Sequence, residues 1–297
     1  MSSSNEGRIP VIDISGSVPQ SEVAKQLVDA AATFGFVYIK NLGKDIPVDA
    51  IDRTFELSQK FFSSPVEEKL PCKIANNNRG WSGMHTEKLD EKNQRIDPAA
   101  GGSNWFSSRH HGGTTGCILR LLYYPSLPPN SDYQPDVDIR AGAHSDYGSI
   151  TLLFQRPSQP GLEILPPSSS SEPKWTPVPI QPPTTENDPS PPILVNIGDL
   201  LSHWTNNLLV STVHRVIFPK SLPTEIADRY SIAYFCHPVG TTILESVPSE
   251  RVQKFGEANG EIERKKGEKI TADEHLMGRL RATYAGLYEE NKGDKKE

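Results

Sequence analysis

The stretch Ala141-Gly142-Ala143-His144-Ser145-Asp146-Tyr147-Gly148-Ser149-Ile150-Thr151-Leu152-Leu153-Phe154-Gln155 decides how this chain is read. A His and an Asp stand two residues apart, flanked by glycines, and the sequence then runs into an apolar strand. On a strand, residues two apart project to the same side, so both can reach one point as the strand enters a turn. Further on, Ser211-Thr212-Val213-His214-Arg215-Val216-Ile217-Phe218 places a second His in another strand, and Arg229-Tyr230-Ser231 follows it. Two imidazoles and one carboxylate can hold a ferrous ion on one face, leaving its other positions open to a bidentate oxoacid and dioxygen. Arg229 and Ser231, again two apart, offer a planar guanidinium fork and a hydroxyl to the far carboxylate of such an acid. Taken singly these features are weak. A His-x-Asp triplet is usually a surface turn, and a lone strand His is usually a satisfied core residue. Their conjunction marks His144, Asp146 and His214 as candidate metal ligands and Arg229 with Ser231 as a candidate oxoacid clamp.

Working outward, short strand candidates crowd around this block: Leu119–Tyr124, Thr151–Phe154, Leu162–Leu165, Ile193–Ile197, Thr212–Phe218 and Tyr230–Phe235. Gly, Pro and Asp punctuate them, the pattern of a sandwich or barrel. On the N-terminal side, Ile9–Ile14 reads as an edge strand because of Pro10. A helix over Glu22–Phe34 follows, capped by Ser21, striped by Val23, Leu27, Ala31 and Phe34, and ended by Gly35. Phe36–Ile39 is the next strand. A second helix carries Ile51, Phe55, Ser58 and Phe62 and stops before Pro65, and Ala75–Gly83 is a loop. Residues 166–192, rich in Pro, Ser and Thr, read as an extended surface loop inside a hairpin, anchored by Trp175. A capping box, Thr271 to Glu274, opens a last helix striped by Leu276, Leu280, Tyr284 and Leu287, before a frayed charged tail, Glu289–Glu297. Residues 1–118 form an N-terminal helix and strand region, 119–240 the core and 241–297 a helical C-terminal region, in one structural domain.

The 297 residues carry a net charge of -6 without a basic stripe, which argues against nucleic acid as a partner. No apolar run approaches membrane-spanning length, and the opening residues lack the regions of a signal peptide, so a cytoplasmic protein is expected. Cys72, Cys117 and Cys236 are scattered and form no Cys-x-x-Cys pair, as expected of reduced thiols rather than a disulfide frame.

The motifs together resemble the iron(II)- and 2-oxoglutarate-dependent dioxygenases of the isopenicillin N synthase-like superfamily. The matching pieces are Ile9–Ile14, Gly35-Phe36-Val37-Tyr38, Leu119-Arg120-Leu121-Leu122-Tyr123-Tyr124-Pro125, the block around His144, Val195-Asn196-Ile197-Gly198-Asp199, His214-Arg215-Val216 and Arg229-Tyr230-Ser231. Ala141–Gln155, Tyr230–Cys236 and the closing Arg279-Leu280-Arg281-Ala282-Thr283-Tyr284 are most similar to the fungal subgroup that includes thymine 7-hydroxylase. The resemblance implies a mainly β fold with flanking helices around a double-stranded β-helix, or jelly-roll, core. It implies Fe(II), 2-oxoglutarate and O2 as the reaction's needs, with ascorbate supportive in vitro. It places Tyr124 beside the other end of 2-oxoglutarate and Arg120, Tyr147 and Phe235 on the substrate side. The implied reaction releases succinate and carbon dioxide and hydroxylates a C–H bond, with desaturation or ring closure as variants. Asp146 keeps the third protein position filled, which weighs against a halogenase.

One departure from the family stands out. Gln94-Arg95-Ile96-Asp97-Pro98 runs almost directly into Gly101-Gly102-Ser103-Asn104-Trp105-Phe106, where relatives place a long connection with a helix over the outer sheet. Apolar sheet surface is therefore expected to lie open. Two other readings stand beside the oxygenase: a shortened, non-catalytic jelly-roll that keeps the metal motif, and a cupin-like metal protein, against which Arg229 and Ser231 argue.

Overall fold

The computed structural model describes residues 8–75, 79–81, 105–127, 132, 134, 137–167, 174–218, 228–261 and 269–283. The connection at 95–104, most of the 75–83 loop, and Tyr284, Leu287 and the charged tail lie outside these residues.

Among the described residues ten strands form two sheets. They are β1 (Val11–Ile12), β2 (Phe36–Ile39), β3 (Ile118–Tyr124), β4 (Ile139–His144), β5 (Ile150–Gln155), β6 (Leu162–Ile164), β7 (Thr176–Pro177), β8 (Ile193–Ile197), β9 (His214–Ile217) and β10 (Arg229–Cys236). The larger sheet runs β1-β2-β8-β5-β10-β3 and the smaller β4-β9-β6-β7. All pairings are antiparallel except the edge pair β1–β2. This is the jelly-roll expected from the sequence. Phe36, Tyr38, Leu162, Ile164, Leu194 and Val216 interlock as one core cluster from strands of both sheets. Among the described residues six α-helices flank them: α1 (Gln20–Thr33), α2 (Val48–Ser63), α3 (Val66–Lys69), α4 (Asp199–Trp204), α5 (Glu250–Ala258) and α6 (Ala272–Thr283). Among the described residues no helix is long and apolar enough to cross a membrane.

Several local expectations need correction. Ser21 does not cap α1. The helix begins two residues earlier than expected, at Gln20, with the Pro19 carbonyl accepting from the Glu22 and Val23 amides. Gly35 does end it, at φ +65°, and a Cβ there would strike the Val210 carbonyl. Residues 174–192 are not a free surface loop. β7 pairs with β6, the Arg215 guanidinium sits 4.3 Å from the Trp175 ring, and Val178 and Thr185 are buried. Trp175 thus anchors the segment as expected, but the chain after it packs inward, because each buried apolar side chain is worth about 1.5–3 kcal/mol. The capping box at Thr271 is present: Glu274 Oε2 accepts from the Thr271 amide at 2.7 Å and the Glu274 amide donates back to Thr271 Oγ1. Cys117 and Cys236, far apart in sequence, come together in the fold. They stand side by side where β3 meets β10, the Cys117 sulfur bonded to the His237 backbone, and both are free thiols.

Register assigns the faces of the larger sheet. Tyr123 and Tyr230 stack beneath Phe62 of α2 and so lie outside. Leu121, Ile232, Phe154, Leu119, Tyr234 and Leu152 share that side. Away from α2 the cover thins, and Leu119 is 56% exposed. Replacing Leu119 with Lys is expected to slow aggregation on gentle heating and lower the binding of an apolar dye. The melting midpoint should stay within about 2 °C, because exposed substitutions change stability by roughly 0.5 kcal/mol or less. Light scattering and dye fluorescence measure this, and unchanged values would mean the strand end is covered in solution.

Candidate metal centre

His144 closes β4 and His214 opens β9, directly opposite each other in register. Their ring centroids are 4.3 Å apart. Asp146 was expected to share a strand with His144, but β4 ends at His144 and Asp146 is presented from the turn beyond. Specific contacts hold that turn instead. The Asp199 amide donates to the Asp146 carbonyl at 2.7 Å, and Ser145 Oγ donates to Asp199 Oδ2 at 3.0 Å. A Cβ on Gly198 would collide with the Gly148 carbonyl, so the chain before α4 can pass this close only as glycine.

The result is one cluster of potential ligands. A nitrogen from each imidazole and one Asp146 oxygen all lie within 4.8 Å of one another, the only such group found among the described residues. Asp146 Oδ1 is 3.9 Å from His144 Nε2 and 3.6 Å from His214 Nε2. His144 Nδ1 lies 2.7 Å from the Gly142 carbonyl and His214 Nδ1 3.1 Å from that of Thr212. A carbonyl only accepts, so each Nδ1 carries the proton and each Nε2 lone pair faces the cluster. Phe36 meets the His214 ring edge-on at 5.7 Å and limits its rotation. Asn196 Nδ2 donates to Asp146 Oδ2 at 2.7 Å, which leaves Oδ1 for a cation.

The electrostatics agree. Burial, followed by the neighbouring His214, pushes the His144 imidazole down to about 4. It is therefore neutral at physiological pH, the form that ligates a metal. Burial acts to raise the Asp146 carboxyl, but His214 and His144 outweigh it and hold the group below the usual range. A buried carboxylate kept ionised is costly without a cation, and a ferrous ion would remove that cost.

Arg229 lies at the start of β10 and is 2% exposed. Nη1 donates to Ser231 Oγ at 3.2 Å and Nη2 to Gln155 Oε1 at 3.3 Å, while its guanidinium carbon lies 5.2 Å from the Tyr124 ring. Its Nε meets no acceptor. Among the described residues no carboxylate comes within ion-pair distance of it, and burial lowers its pKa. Ser231 stands opposite Gln155 in register, Phe235 opposite Thr151, and Thr151 opposite Asn196. The guanidinium group and the amide that steadies Asp146 thus share the inner face of one sheet.

Of the substrate-side candidates, Arg120 and Phe235 meet on this inner face, 5.8 Å from guanidinium carbon to ring centroid. Tyr147 is engaged from the C-terminal part of the chain. Its hydroxyl bonds Thr283 and its ring lies 5.0 Å from the Arg279 guanidinium, both on α6. Asn196, Gln155, Asp199, Arg279 and Thr283 were not among the expected site residues. Asn196 and Gln155 lie inside quoted motifs but at positions that spacing alone does not make ligands.

Comparisons with known proteins meet this geometry from another direction. Residues 9–101 match the family described as "non-haem dioxygenase in morphine synthesis N-terminal", and residues 115–238 match "2OG-Fe(II) oxygenase superfamily". A Schizosaccharomyces pombe protein, UPF0676 protein C1494.01, is 36% identical, with 93% of this chain and 92% of that one covered. That alignment runs over 328 positions, more than the 297 residues present, so the relative has residues without counterpart here. The 2-oxoglutarate-Fe(II) type oxidoreductase ppzD of Metarhizium rileyi is 29% identical over 88% of this chain and 86% of its own. Among solved structures, Neurospora crassa thymine 7-hydroxylase with α-ketoglutarate and thymine superposes with a TM-score of 0.70, at 28% identity over 94% of this chain and 98% of that one. A His-Asp-His cluster inside a jelly-roll, with matches along nearly the whole length, admits one conclusion: the chain belongs to the 2OG-Fe(II) oxygenase superfamily and is a 2-oxoglutarate-dependent dioxygenase.

Proposed function

We propose that this enzyme hydroxylates an unactivated C–H bond of a small molecule while converting 2-oxoglutarate to succinate and carbon dioxide. The observation that carries the reading is Arg229: a buried guanidinium with only neutral partners, on the sheet face that also presents Asn196 to Asp146. Such a group is costly to fold and calls for an anionic ligand.

His144, Asp146 and His214 hold the ferrous ion through Nε2, Oδ1 and Nε2. Arg229 forks onto the distal carboxylate of 2-oxoglutarate, with Ser231 donating its hydroxyl and Tyr124 flanking the guanidinium. Bound iron supplies the redox chemistry that couples dioxygen and keto acid to C–H oxidation. Arg120 and Phe235 provide a cationic donor beside an aromatic face, suited to a flat ring bearing carbonyl oxygens. The Neurospora neighbour, solved with thymine, holds a ligand of that kind.

The test is succinate formation from 2-oxoglutarate with ferrous iron and ascorbate, first alone and then with a panel of carbonyl-bearing ring compounds. Slow succinate release that a panel member stimulates, and that His144→Ala abolishes, is the expected result. No succinate from a protein that still binds metal would instead support a shortened, non-catalytic binding protein.

A further inference from the structure

The closing motif Arg279–Thr283 has no part in the roles assigned so far, yet it reaches the metal centre. α6 lays Leu276 and Leu280 into the core and turns Arg279 toward Asp199, with Nη2 2.7 Å from Oδ2. Asp199 is the residue whose amide and carboxylate hold the Ser145–Asp146 turn, and Ser211 Oγ donates to its other oxygen at 2.6 Å. The same guanidinium lies over the Tyr147 ring, whose hydroxyl bonds Thr283. One helix thus grips the residues on both sides of a metal ligand.

We propose that α6 completes the metal centre, with Arg279 a positioning residue that acts through Asp199 and Tyr147 to hold Asp146 where it binds iron. This rests on the metal-centre reading above. Asp199 touches no metal itself, and Arg279 stands one residue further out. Its guanidinium balances a buried carboxylate that would otherwise turn toward water and release Ser145 Oγ. Partners of this kind fix ligand orientation, and their loss typically weakens metal affinity by about 10- to 100-fold.

The experiment measures Mn(II) affinity by electron paramagnetic resonance on the whole chain, with Mn(II) standing in for the ferrous ion. It is paired with circular dichroism and with the 2-oxoglutarate dependence of succinate release. Arg279→Gln is expected to raise the Mn(II) dissociation constant about tenfold. The folded spectrum and the KM for 2-oxoglutarate, set by Arg229, should stay unchanged. Arg279→Lys restores charge opposite Asp199 and should recover most of the loss. Ser145→Ala, which removes one hydroxyl and no charge, should shift affinity in the same direction. That variant decides the matter if Arg279→Gln does not fold. Unchanged Mn(II) affinity in Arg279→Gln or Ser145→Ala, or an Arg279→Lys no better than Gln, overturns the proposal. Wild-type protein that binds no Mn(II), or binds it equally well after His144→Ala, refutes the metal-centre reading itself.

Discussion

Asp146→Ala is expected to abolish substrate-stimulated succinate formation and to weaken ferrous-ion binding well beyond 100-fold. The carboxylate supplies one of three protein ligands, so its loss must exceed the 10- to 100-fold typical of residues that only orient ligands. The same change should barely destabilise the metal-free protein. Asp146 is a buried carboxylate, so removing it also removes a desolvation cost. What is lost in return is the Asn196 bond at 2.7 Å, about 1–3 kcal/mol for an amide left unsatisfied. The clearest readout is metal-dependent melting. A ligand at 100 times its dissociation constant stabilises the folded state by about 2.7 kcal/mol, or roughly 5–10 °C for a chain of this size. Wild type should show that rise on anaerobic addition of ferrous iron, and Asp146→Ala should show none. An equal rise in both would place the iron elsewhere.

What the sequence made legible follows from what is local. The strands of the larger sheet are visible because buried strands read as short apolar runs, and Phe36–Ile39 and Ile193–Ile197 match to the residue. The ligand trio is legible because three rare groups recur at fixed places in known motifs. The means of holding Asp146 were not legible. Its strand ends at His144, and its partners Asn196 and Asp199 lie about fifty residues on, reached only once β5 pairs β8 and α4 folds beneath the turn. The contacts of Tyr147 with α6, at the far end of the chain, were not legible either. Ser21 misled because Pro19 already starts the helix with its carbonyl, a choice of backbone geometry that no side-chain preference reveals. The inward packing of 174–192 was hidden by composition. Proline and serine mark loops, but Val178 and Thr185 follow a strand pairing that composition does not encode.

Arg229→Met is expected to move two measurements in opposite directions. Met approximates the length of the arginine stem and removes the charge. In the absence of 2-oxoglutarate the wild-type guanidinium is buried against neutral oxygen partners, those of Ser231, Gln155 and Tyr124, with Nε unpaired. Replacing a poorly paired buried charge by an apolar side chain of similar volume is neutral or stabilising. The melting midpoint of the metal-free variant should therefore equal or exceed that of wild type. With 2-oxoglutarate the sign reverses. Truncating one partner of a buried, hydrogen-bonded charge pair costs about 2–5 kcal/mol, so the concentration of 2-oxoglutarate giving half-maximal succinate release should rise by roughly 30-fold to several thousandfold. Arg229→Lys keeps a charge but loses the planar fork, and should fall between the two. Mn(II) affinity should not change in either variant, because Arg229 touches none of His144, Asp146 or His214. A melting midpoint that drops while 2-oxoglutarate still saturates at wild-type concentrations would make Arg229 a structural residue of β10. The keto acid's carboxylate would then need a different cation, and Arg120 lies on the same inner face.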